Sequence, residues 1–438
     1  MKQGLPATPS RTSPRTHTGW LGGALALGVL VLGGCQDPNS GGAPTRYAKP
    51  GHGGGHGEVE VLPSIPPRPA GVSVAALLEK AKQHFTPLPE AAESRTNPST
   101  EEKIALGRML YFDPRLSQSR EIACATCHDL SAYGVDVREQ GGKRAATSTG
   151  HDGQVGDRNA PTVYNAGLHI AQFWDGRARD LEEQAKGPVL NPVEMAMPDA
   201  AAVESTLRAV PGYREAFAAA FPGQPEPITY DNMAKAIGAF ERQLMTPGPF
   251  DDFLGGKLTA LDEDQLRGLS LFMDVGCIQC HTGAAVGGTM YQKLGTVTPW
   301  EGLTDKGRAN VTKSKDDEYV FKVPSLRNIT ETGPYLHDGS IASLDQMVQK
   351  MAKHQLAKGE FAPDELTAVL AFLGSLKGEL PAEYISKPTL PPDGAAVPSA
   401  PAEPVEGAEP AEGAEPAEGA EPAEPAEPAE PEPEADPV

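Results

Sequence analysis

The 438-residue sequence has little of three things: cysteine, basic charge and long apolar runs. Five cysteines are too few for a disulfide framework in a chain of this length. Lys and Arg number 38 against 59 Asp and Glu, so the net charge is −21 and no basic stripe for nucleic-acid phosphates is expected. The acidic balance is compatible with a basic protein partner. The sequence therefore disfavours a disulfide scaffold and a nucleic-acid-binding protein.

Most of the acidic excess lies at the C-terminus. Residues 401–438 hold thirteen acidic residues and no Lys or Arg, and without them the net charge would be −8. The letters EGAEPA repeat at 406–411, 412–417 and 418–423. Pro, Ala and Glu bury too little apolar surface to offset the entropy lost on ordering. We predict a disordered Pro/Ala/Glu tail over residues 386–438.

The apolar run near the N-terminus, residues 21–32, follows several basic residues and indicates an export signal. It is too short for a transmembrane helix, which needs ~20 residues. The run ends in the letters LGGC, the last of which is Cys35, and this resembles a bacterial lipoprotein signal. We favour lipidation over an incidental cysteine, because a free exposed thiol is a liability in an oxidising compartment. The expectation is a lipoprotein-type signal over 1–35 and a periplasmic protein tethered to a membrane by acyl chains.

The rest of the sequence alternates helical patterns with Gly- and Pro-rich segments. Residues 36–71 are rich in Gly and Pro and predict a flexible tether. Strand patterns are few and short, so we predict a mostly α fold with long loops, and loops of that length indicate a bound cofactor that they wrap. Apolar residues recur at helical spacing in these segments: Asp180–Ala185, Ala200–Val210, Tyr230–Leu244, Asp264–Phe272, Leu344–Met351 and Pro363–Leu376.

Four of the five cysteines form two copies of the pattern C-x-x-C-H: Cys124, Cys127 and His128, then Cys277, Cys280 and His281. A c-type haem bonds two thiols and takes an imidazole as an iron ligand, so the pattern supplies every group it needs. A redox dithiol leaves the repeated histidine unexplained, and a four-cysteine zinc site leaves both histidines without a role. We predict two covalently bound haem c groups.

The two motifs belong to a duplicated unit. The letters LGRMLYF at 106–112 precede the first motif, and the similar RGLSLF at 267–272 precedes the second. We therefore expect an N-terminal haem domain over 72–245 and a C-terminal haem domain over 246–385.

Each iron needs a second axial ligand or a vacancy, and spacing alone does not choose among the candidates. A pair of histidines holds haem iron at low potential, whereas histidine with methionine raises the potential. The candidate histidines outside the N-terminal segments are His84, His151, His169, His337 and His354.

Several longer motifs follow one another in this order: LGRMLYFDPRLS, CATCH, GHDGQVGDRNAPTVYNA, AQFWDGRARDLEEQAKGPVLNPVEM, GCIQCHTG, VPSLRNITETGPYLHDGS and MVQKMAKHQL. Together they resemble the bacterial di-haem cytochrome c peroxidases over roughly residues 72–385. The resemblance implies two mostly α cytochrome-c-like domains and the reduction of hydrogen peroxide to water. It also implies a small soluble cytochrome c or cupredoxin as electron donor, and a homodimer is plausible.

The resemblance also implies roles around the first haem, which would be the low-potential, peroxide-reducing one. His128 would bind its iron, and His151 would be the distal ligand that leaves on activation. Trp174 would lie between the haems. Gln184 and Glu194 would form the peroxide pocket, where a carboxylate can move a proton between the peroxide oxygens.

The second haem would be the high-potential, electron-accepting one, with His281 and Met351 as axial ligands by the same resemblance. Asn159, Thr332 and Pro334 would help to hold a calcium ion between the domains, the last two through backbone oxygens.

Three points stay open. Met347 stands one turn before Met351, and such a pair is common in core packing. The segment between His128 and His151 is longer than expected for the family and contains an inserted loop, VREQGGKRAATSTG. A di-haem electron carrier is an alternative, disfavoured by Gln184 and Glu194. A second alternative is a related di-haem enzyme that oxidises a partner protein. In one enzyme of that kind, the methylamine dehydrogenase maturation enzyme, a tyrosine occupies the position of Met351.

Overall fold

The computed structural model describes residues 73–393. The predicted signal, Cys35, the tether and most of the acidic tail lie outside these residues. Within them, thirteen α-helices are joined by long loops, and only short strands occur, which confirms the mostly α prediction. No helix of this part of the chain is long and apolar enough to cross a membrane.

The helices of the described residues are, in chain order, α1 (Val74–Ala81), α2 (Glu101–Tyr111), α3 (Cys124–Cys127), α4 (Leu181–Leu190), α5 (Ala200–Arg208), α6 (Pro211–Ala220), α7 (Tyr230–Glu241), α8 (Pro249–Leu254), α9 (Glu263–Asp274), α10 (Ala309–Thr312), α11 (Leu344–His354), α12 (Pro363–Gly374) and α13 (Ala382–Ile385). Two antiparallel strand pairs accompany them: β1 (Glu139–Gln140) with β2 (Lys143–Arg144), and β3 (Tyr291–Lys293) with β4 (Val320–Lys322).

Each helix predicted from apolar spacing is present, and the ends shift where capping residues set them. Asp180 was expected inside α4 but lies before it in an extended conformation, where its side chain accepts a hydrogen bond from the Glu183 amide at 2.8 Å. Such a side chain satisfies one of the free amides at a helix start. Asp262 caps α9 in the same way through the Gln265 amide at 2.8 Å.

Helix packing repeats the duplication seen in the sequence. A Cβ atom on Gly107 of α2 would lie 1.9 Å from the backbone oxygen of Ala236 in α7. A Cβ atom on Gly268 of α9 would lie 1.9 Å from the backbone oxygen of Ala368 in α12. Only glycine permits backbones to approach this closely. The two related sequence segments therefore make the same helix crossing, once before each haem motif.

The start of the described chain packs into the later core. Leu77 and Leu78 of α1 lie in the apolar cluster formed mainly by α8, α9 and α12. Phe85, which follows α1, meets Phe250 edge-on with ring centroids 5.3 Å apart. The N-terminal domain expected over 72–245 thus includes a helix that packs with the second half.

The end of the described chain returns to the first half. Tyr384 stacks on Phe240 with ring centroids 5.0 Å apart, and its hydroxyl donates to the Phe240 carbonyl at 2.8 Å. Beyond the expected start of the tail, Asp393 accepts a hydrogen bond from Arg115 at 2.9 Å. Both ends of the described chain are therefore fixed to the half that is distant in sequence.

A buried ion pair lies in the second core. Arg327 is only 1% exposed and donates to Asp251 through Nη1 at 2.6 Å and Nη2 at 2.9 Å. Asp251 also accepts from the amides of Leu88 and Gly248, at 2.8 and 2.9 Å. The carboxylate therefore ties α8 to two loops while it neutralises the guanidinium.

Asp251→Asn should lower the free energy of unfolding by about 3–5 kcal/mol, because it leaves the buried Arg327 charge without a counter-ion. Chemical denaturation of the haem-loaded protein measures this loss. Asp252→Asn is the matched control: Asp252 pairs with Lys257 at 3.0 Å on the surface, and its loss should change stability by about 1 kcal/mol or less. Equal effects of the two substitutions would contradict a structural role for the buried pair.

Candidate haem sites

The first C-x-x-C-H motif is a single helical turn. Cys124 and Cys127 begin and end α3, and the amide of His128 bonds the Cys124 carbonyl at 2.9 Å. The His128 Nδ1 lies 3.2 Å from the Gly134 carbonyl, which holds the ring proton on Nδ1 and leaves Nε2 free for a metal. Burial lowers the pKa of His128 and keeps the imidazole neutral, as a metal ligand must be.

The second motif repeats this arrangement on a 3-10 turn, Cys277–Gln279. The His281 amide bonds the Cys277 carbonyl at 3.0 Å, and His281 Nδ1 lies 3.4 Å from the Val286 carbonyl. Burial lowers the pKa of His281 to about 4. Both motifs thus present two thiols and one oriented, neutral imidazole.

The thiols fit haem attachment better than the other chemistries of paired cysteines. All four are free, and burial raises the pKa of Cys124 and of Cys277 to about 12. A redox dithiol works through a thiolate of lowered pKa, which is the opposite shift. In residues 73–393 no three His, Cys, Asp or Glu side chains come together in a way that could hold a metal ion.

A cleft opens beside the first motif, with an empty volume of about 1280 Å³ including its mouth. Both thiols and the imidazole of the first motif line this cleft. Its lining brings the first motif together with most residues that the resemblance had placed there: Cys124, Cys127, His128, Asn159, Trp174, Gln184 and Glu194.

Glu194 is the carboxyl group that the family resemblance assigned to the peroxide pocket, and it lines this cleft. Its Oε1 accepts a hydrogen bond from Asn191 Nδ2 at 2.9 Å. Burial raises the pKa of Glu194, while the nearby Arg177 charge and the Asn191 bond act in the opposite direction. The group is therefore closer to neutrality than an ordinary surface carboxylate, which suits a residue that takes up and releases protons.

A backbone hydrogen bond joins the loop that carries His151 to Glu194. The His151 amide donates to the Glu194 carbonyl at 2.9 Å. Asp152 adopts the left-handed conformation, with φ 52°. The His151 Nε2 lies 3.3 Å from an Asp152 carboxylate oxygen, and its Nδ1 is buried without a hydrogen-bond partner. An unpartnered buried nitrogen of this kind calls for a ligand, because burying a polar atom without a partner is costly.

Trp174 joins the cleft to the second half of the chain. Its indole nitrogen donates to the Asn159 carbonyl at 2.9 Å, and its ring packs on an apolar cluster that includes Phe321. Met351 of α11 packs on the same cluster. Met347 does so as well, and the packing alone does not separate the two methionines.

Three of the other candidate histidines do not line the cleft of the first motif. His354 is buried, with Nδ1 3.0 Å from a backbone carbonyl. His337 stacks on Phe321 with ring centroids 4.3 Å apart, and its Nε2 lies 3.9 Å from Asp305. His84 makes an edge contact with its neighbouring phenylalanine.

The residues expected around calcium lie close to one another. The Asn159 amide donates to the His337 carbonyl at 2.8 Å, in the loop that also carries Thr332 and Pro334. The Asn159 side-chain nitrogen donates to the Ala146 carbonyl at 2.8 Å, so the side-chain oxygen Oδ1 points away from that carbonyl. Oxygen donors of this kind, one amide and two backbone carbonyls, are ligands that calcium accepts.

The segment expected to be an insertion contains a hairpin that meets the same region. Gly141 and Gly142 form the turn between β1 and β2 with φ of 63° and 75°, the left-handed pair that a tight hairpin requires. Arg144 donates through Nη1 to the carbonyls of Glu331 and Gly333, at 3.0 and 2.6 Å. The insertion thus fixes the loop next to the expected calcium ligands.

Sequence reasoning missed three charged residues of the cleft: Glu241, Arg177 and Arg158, the last of which pairs with Asp175 and Asp305. Glu241 of α7 lines the cleft, is 4% exposed, and burial raises its pKa to about 8. A signal was present, since Glu241 follows the buried Ile237 by one helical turn and so falls on the apolar face. Arg177 also lines the cleft, with its guanidinium 3.4 Å from the centre of the Phe173 ring. No periodic pattern marks a loop residue of this kind.

Comparison with known proteins agrees with this chemistry. The family model of the di-haem cytochrome c peroxidases matches residues 101–259. The chain is 45% identical to a cytochrome c551 peroxidase of Pseudomonas aeruginosa over 331 residues, which cover 74% of this chain and 92% of the relative. It is 47% identical to the protein of that name from Nitrosomonas europaea over 303 residues, covering 69% and 87%. A methylamine utilization protein MauG of Methylorubrum extorquens is 35% identical, covering 72% and 88%.

Solved structures show the same fold. A MauG-like protein associated with microbial copper homeostasis aligns with a TM-score of 0.62 and 28% identity, covering 69% of this chain and 97% of that one. The diheme peroxidase BthA of Burkholderia thailandensis aligns with a TM-score of 0.56 and 20% identity, covering 71% and 93%, and at that identity supports the fold alone.

Gly150→Ala should loosen the loop of His151. The added Cβ would lie 2.1 Å from the Val193 carbonyl oxygen and 2.8 Å from the Glu194 Cα, so the loop must move away and break the bond between the His151 amide and Glu194. We expect deuterium exchange at the His151 amide to accelerate by about tenfold, the loss of roughly one hydrogen bond.

The matched control is Gly156→Ala in the same loop, where the nearest atom would be 3.7 Å away and nothing need move. Unchanged exchange at His151 in the Gly150 variant would show that the contact with residues 193–194 does not hold the loop.

Proposed function

The chain belongs to the di-haem cytochrome c peroxidase family, and on that premise we propose how its residues divide the reduction of hydrogen peroxide to water. Relatives at 45, 47 and 41% identity are named cytochrome c551 or cytochrome c peroxidases, so the chain is an oxidoreductase acting on peroxide with two haem c groups. The observation that carries the proposal is the meeting of the first haem motif with Glu194, Gln184 and Trp174 in one cleft.

Glu194 is the proton-transfer group of this cleft. Bound haem supplies the iron that receives peroxide and the electrons that reduce it. The Glu194 carboxylate accepts the proton of the peroxide oxygen nearer the motif and returns it to the departing oxygen. Its raised pKa brings it close to the working range for that exchange. Gln184 offers an amide from α4 on the same cleft to orient the peroxide.

His151 is the residue that opens the site. Its loop has glycines at 150 and 153, and both Asp152 and Gly153 have positive φ, 52° and 73°. Loops of this kind can exchange between two arrangements. Because the His151 amide is bonded to the Glu194 carbonyl, departure of the imidazole and placement of the catalytic carboxyl are coupled through one backbone contact.

The second haem is the electron-accepting one, carried by a C-terminal domain over 246–385, while the domain over 72–245 carries the peroxide-reducing haem. His281 and Met351 would hold the second iron, and a methionine ligand would give it the higher potential. Trp174 supports this division, since it lies on the first cleft and also packs on the cluster that carries Met351. Its ring shortens the gap that an electron crosses.

Asn159 Oδ1 and the backbone oxygens of Thr332 and Pro334 would hold a calcium ion between the loop after His151 and the loop of residues 331–337. These donors are neutral and Arg144 lies beside them, so we expect weak binding, since affinity rises with the number of charged ligands.

The electron donor is a small soluble cytochrome c or cupredoxin, and the acidic balance of the chain favours a donor with a basic face. The protein works in the periplasm, tethered through acyl chains on Cys35, and forms a homodimer. Peroxide reduction is preferred to oxidation of a partner protein, because the peroxidases are the more similar relatives and Met351 stands where the maturation enzyme has tyrosine.

Glu194→Gln should lower kcat/KM for hydrogen peroxide by about 10²–10⁴-fold, the usual contribution of a general acid–base. Steady-state assays with a reduced cytochrome c measure it. In the unchanged protein, the ionised form of Glu194 is the active one. Activity should therefore fall as pH drops through the pKa of this group, which burial raises above that of an ordinary glutamate.

Glu121→Gln is the matched control, since Glu121 is an exposed acid just before the first motif and should leave turnover unchanged. Wild-type turnover in the Glu194 variant would remove Glu194 from the mechanism.

Met351→Ala should lower the midpoint potential of one haem and remove its methionine-ligand absorption band, because the iron loses the ligand that raises its potential. Redox titration followed by absorbance and EPR measures both. Met347→Ala is the matched control: it truncates a methionine on the same cluster and should leave potential and band unchanged. If the Met347 variant changes instead, the ligand is Met347.

A further inference from the structure

Lys322, the last residue of β4, is a buried cation with no acidic partner among residues 73–393. It is 7% exposed, and its side-chain nitrogen makes one polar side-chain contact, to His169 Nδ1 at 3.4 Å. No carboxylate stands near enough to oppose the burial that lowers the pKa of Lys322 to about 8. The other deeply buried cation of this half, Arg327, is paired with Asp251. Burying a charge is costly unless it is paired, so the buried Lys322 ammonium lacks a counter-ion.

His169 supplies a second unused donor at the same place. The residue is half-buried, but its Nε2 is shielded from solvent and has no hydrogen-bond partner. Burial, reinforced by the Lys322 charge, lowers the pKa of His169, so the ring is neutral. Because Nδ1 faces the Lys322 ammonium and accepts from it, the ring proton is on Nε2. The pair therefore offers hydrogen-bond donors from both residues and no acceptor.

The pair lies beside the second haem motif. β4 is hydrogen-bonded to β3, in which Gln292 Nε2 lies 3.8 Å from Cys280 Sγ. Two residues beyond Lys322, the Pro324 backbone interacts with the His281 imidazole. The His169 ring rests on Gly288, where an added Cβ would lie 2.2 Å from it. The segments that contact the second motif therefore also carry Lys322 and support the His169 ring.

We propose that Lys322 and His169 form a carboxylate-binding subsite that holds a propionate group of the haem attached to Cys277 and Cys280. A haem carries propionate carboxylates at one edge, and covalent attachment fixes where they fall. Two neighbouring donors suit the two oxygens of one carboxylate. The inference rests on haem attachment to the second motif and is independent of the proposed peroxide chemistry.

The subsite has a consequence for electron transfer. A cation at the haem edge stabilises the reduced, less positive iron and so raises its potential. Lys322 also donates its backbone amide to the Trp174 carbonyl at 2.8 Å. Lys322, which would place a positive charge beside the second haem, is thus hydrogen-bonded to Trp174, which lines the cleft of the first motif.

Lys322→Met in the haem-loaded protein tests the proposal, because methionine keeps the volume and removes the charge. We expect the midpoint potential of the second haem to shift downward, the first haem to be unaffected, and the unfolding midpoint to fall as the propionate loses its partner. Lys293→Met is the matched control, an exposed lysine on the neighbouring strand, and should change neither quantity.

Three outcomes would overturn the proposal. An unchanged potential with higher stability would mean that Lys322 is an unpaired buried charge in the loaded protein. A shift confined to the first haem would assign the carboxylate to that haem. A wild-type potential that depends on chloride or acetate, with the dependence lost in Lys322→Met, would mean that a free anion occupies the subsite.

His169→Phe gives a second reading if the lysine variant fails to fold. It removes the Nε2 donor but retains the ring that rests on Gly288. We expect a smaller downward shift of the second haem's potential and a shifted propionate bending band in its resonance Raman spectrum. An unchanged band in this variant would exclude His169 from the subsite.

Discussion

The close approach of two helices at a glycine is the constraint on which the rest of the molecule depends. At Gly107 and Gly268 the crossing helices touch backbone to backbone, and any side chain there would separate them. The first helix of each crossing then delivers an aromatic residue to its haem motif. Tyr111 donates to the His128 carbonyl at 2.7 Å, and Phe272 lies 6.4 Å from the His281 ring, measured between centroids. Each motif is thus positioned by a crossing that the sequence repeats.

Polar groups in the interior fall into two sets. Where the protein supplies both partners, as with Arg327 and Asp251, the pair is complete and structural. Other buried groups lack a partner among the described residues, among them His151 Nδ1 on the loop bonded to Glu194, and His169 Nε2 with Lys322 beside the second motif. Unsatisfied groups in a folded protein need an explanation. The haem contacts that we propose would supply partners at both places.

Sequence patterns predicted what depends on local chemistry. The C-x-x-C-H spacing identified the haem sites because two thiols and an imidazole must come from adjacent residues, and apolar periodicity located the helices. The same reasoning could not find Arg177, a loop residue that no periodic pattern marks and that lines the cleft beside the first motif. Nor could it choose between Met351 and Met347, because both fall on one helix face. Such features depend on contacts between distant segments, which no window of sequence contains.

The two ends of the described chain cross over, with α1 in the second core and Tyr384 against Phe240 in the first. Each half is therefore completed by a segment that belongs, in chain order, to the other. A polypeptide emerging from its N-terminus would leave the first core unfinished until the last helix arrived. Cutting the chain between the halves would therefore give two fragments that each lack part of a core.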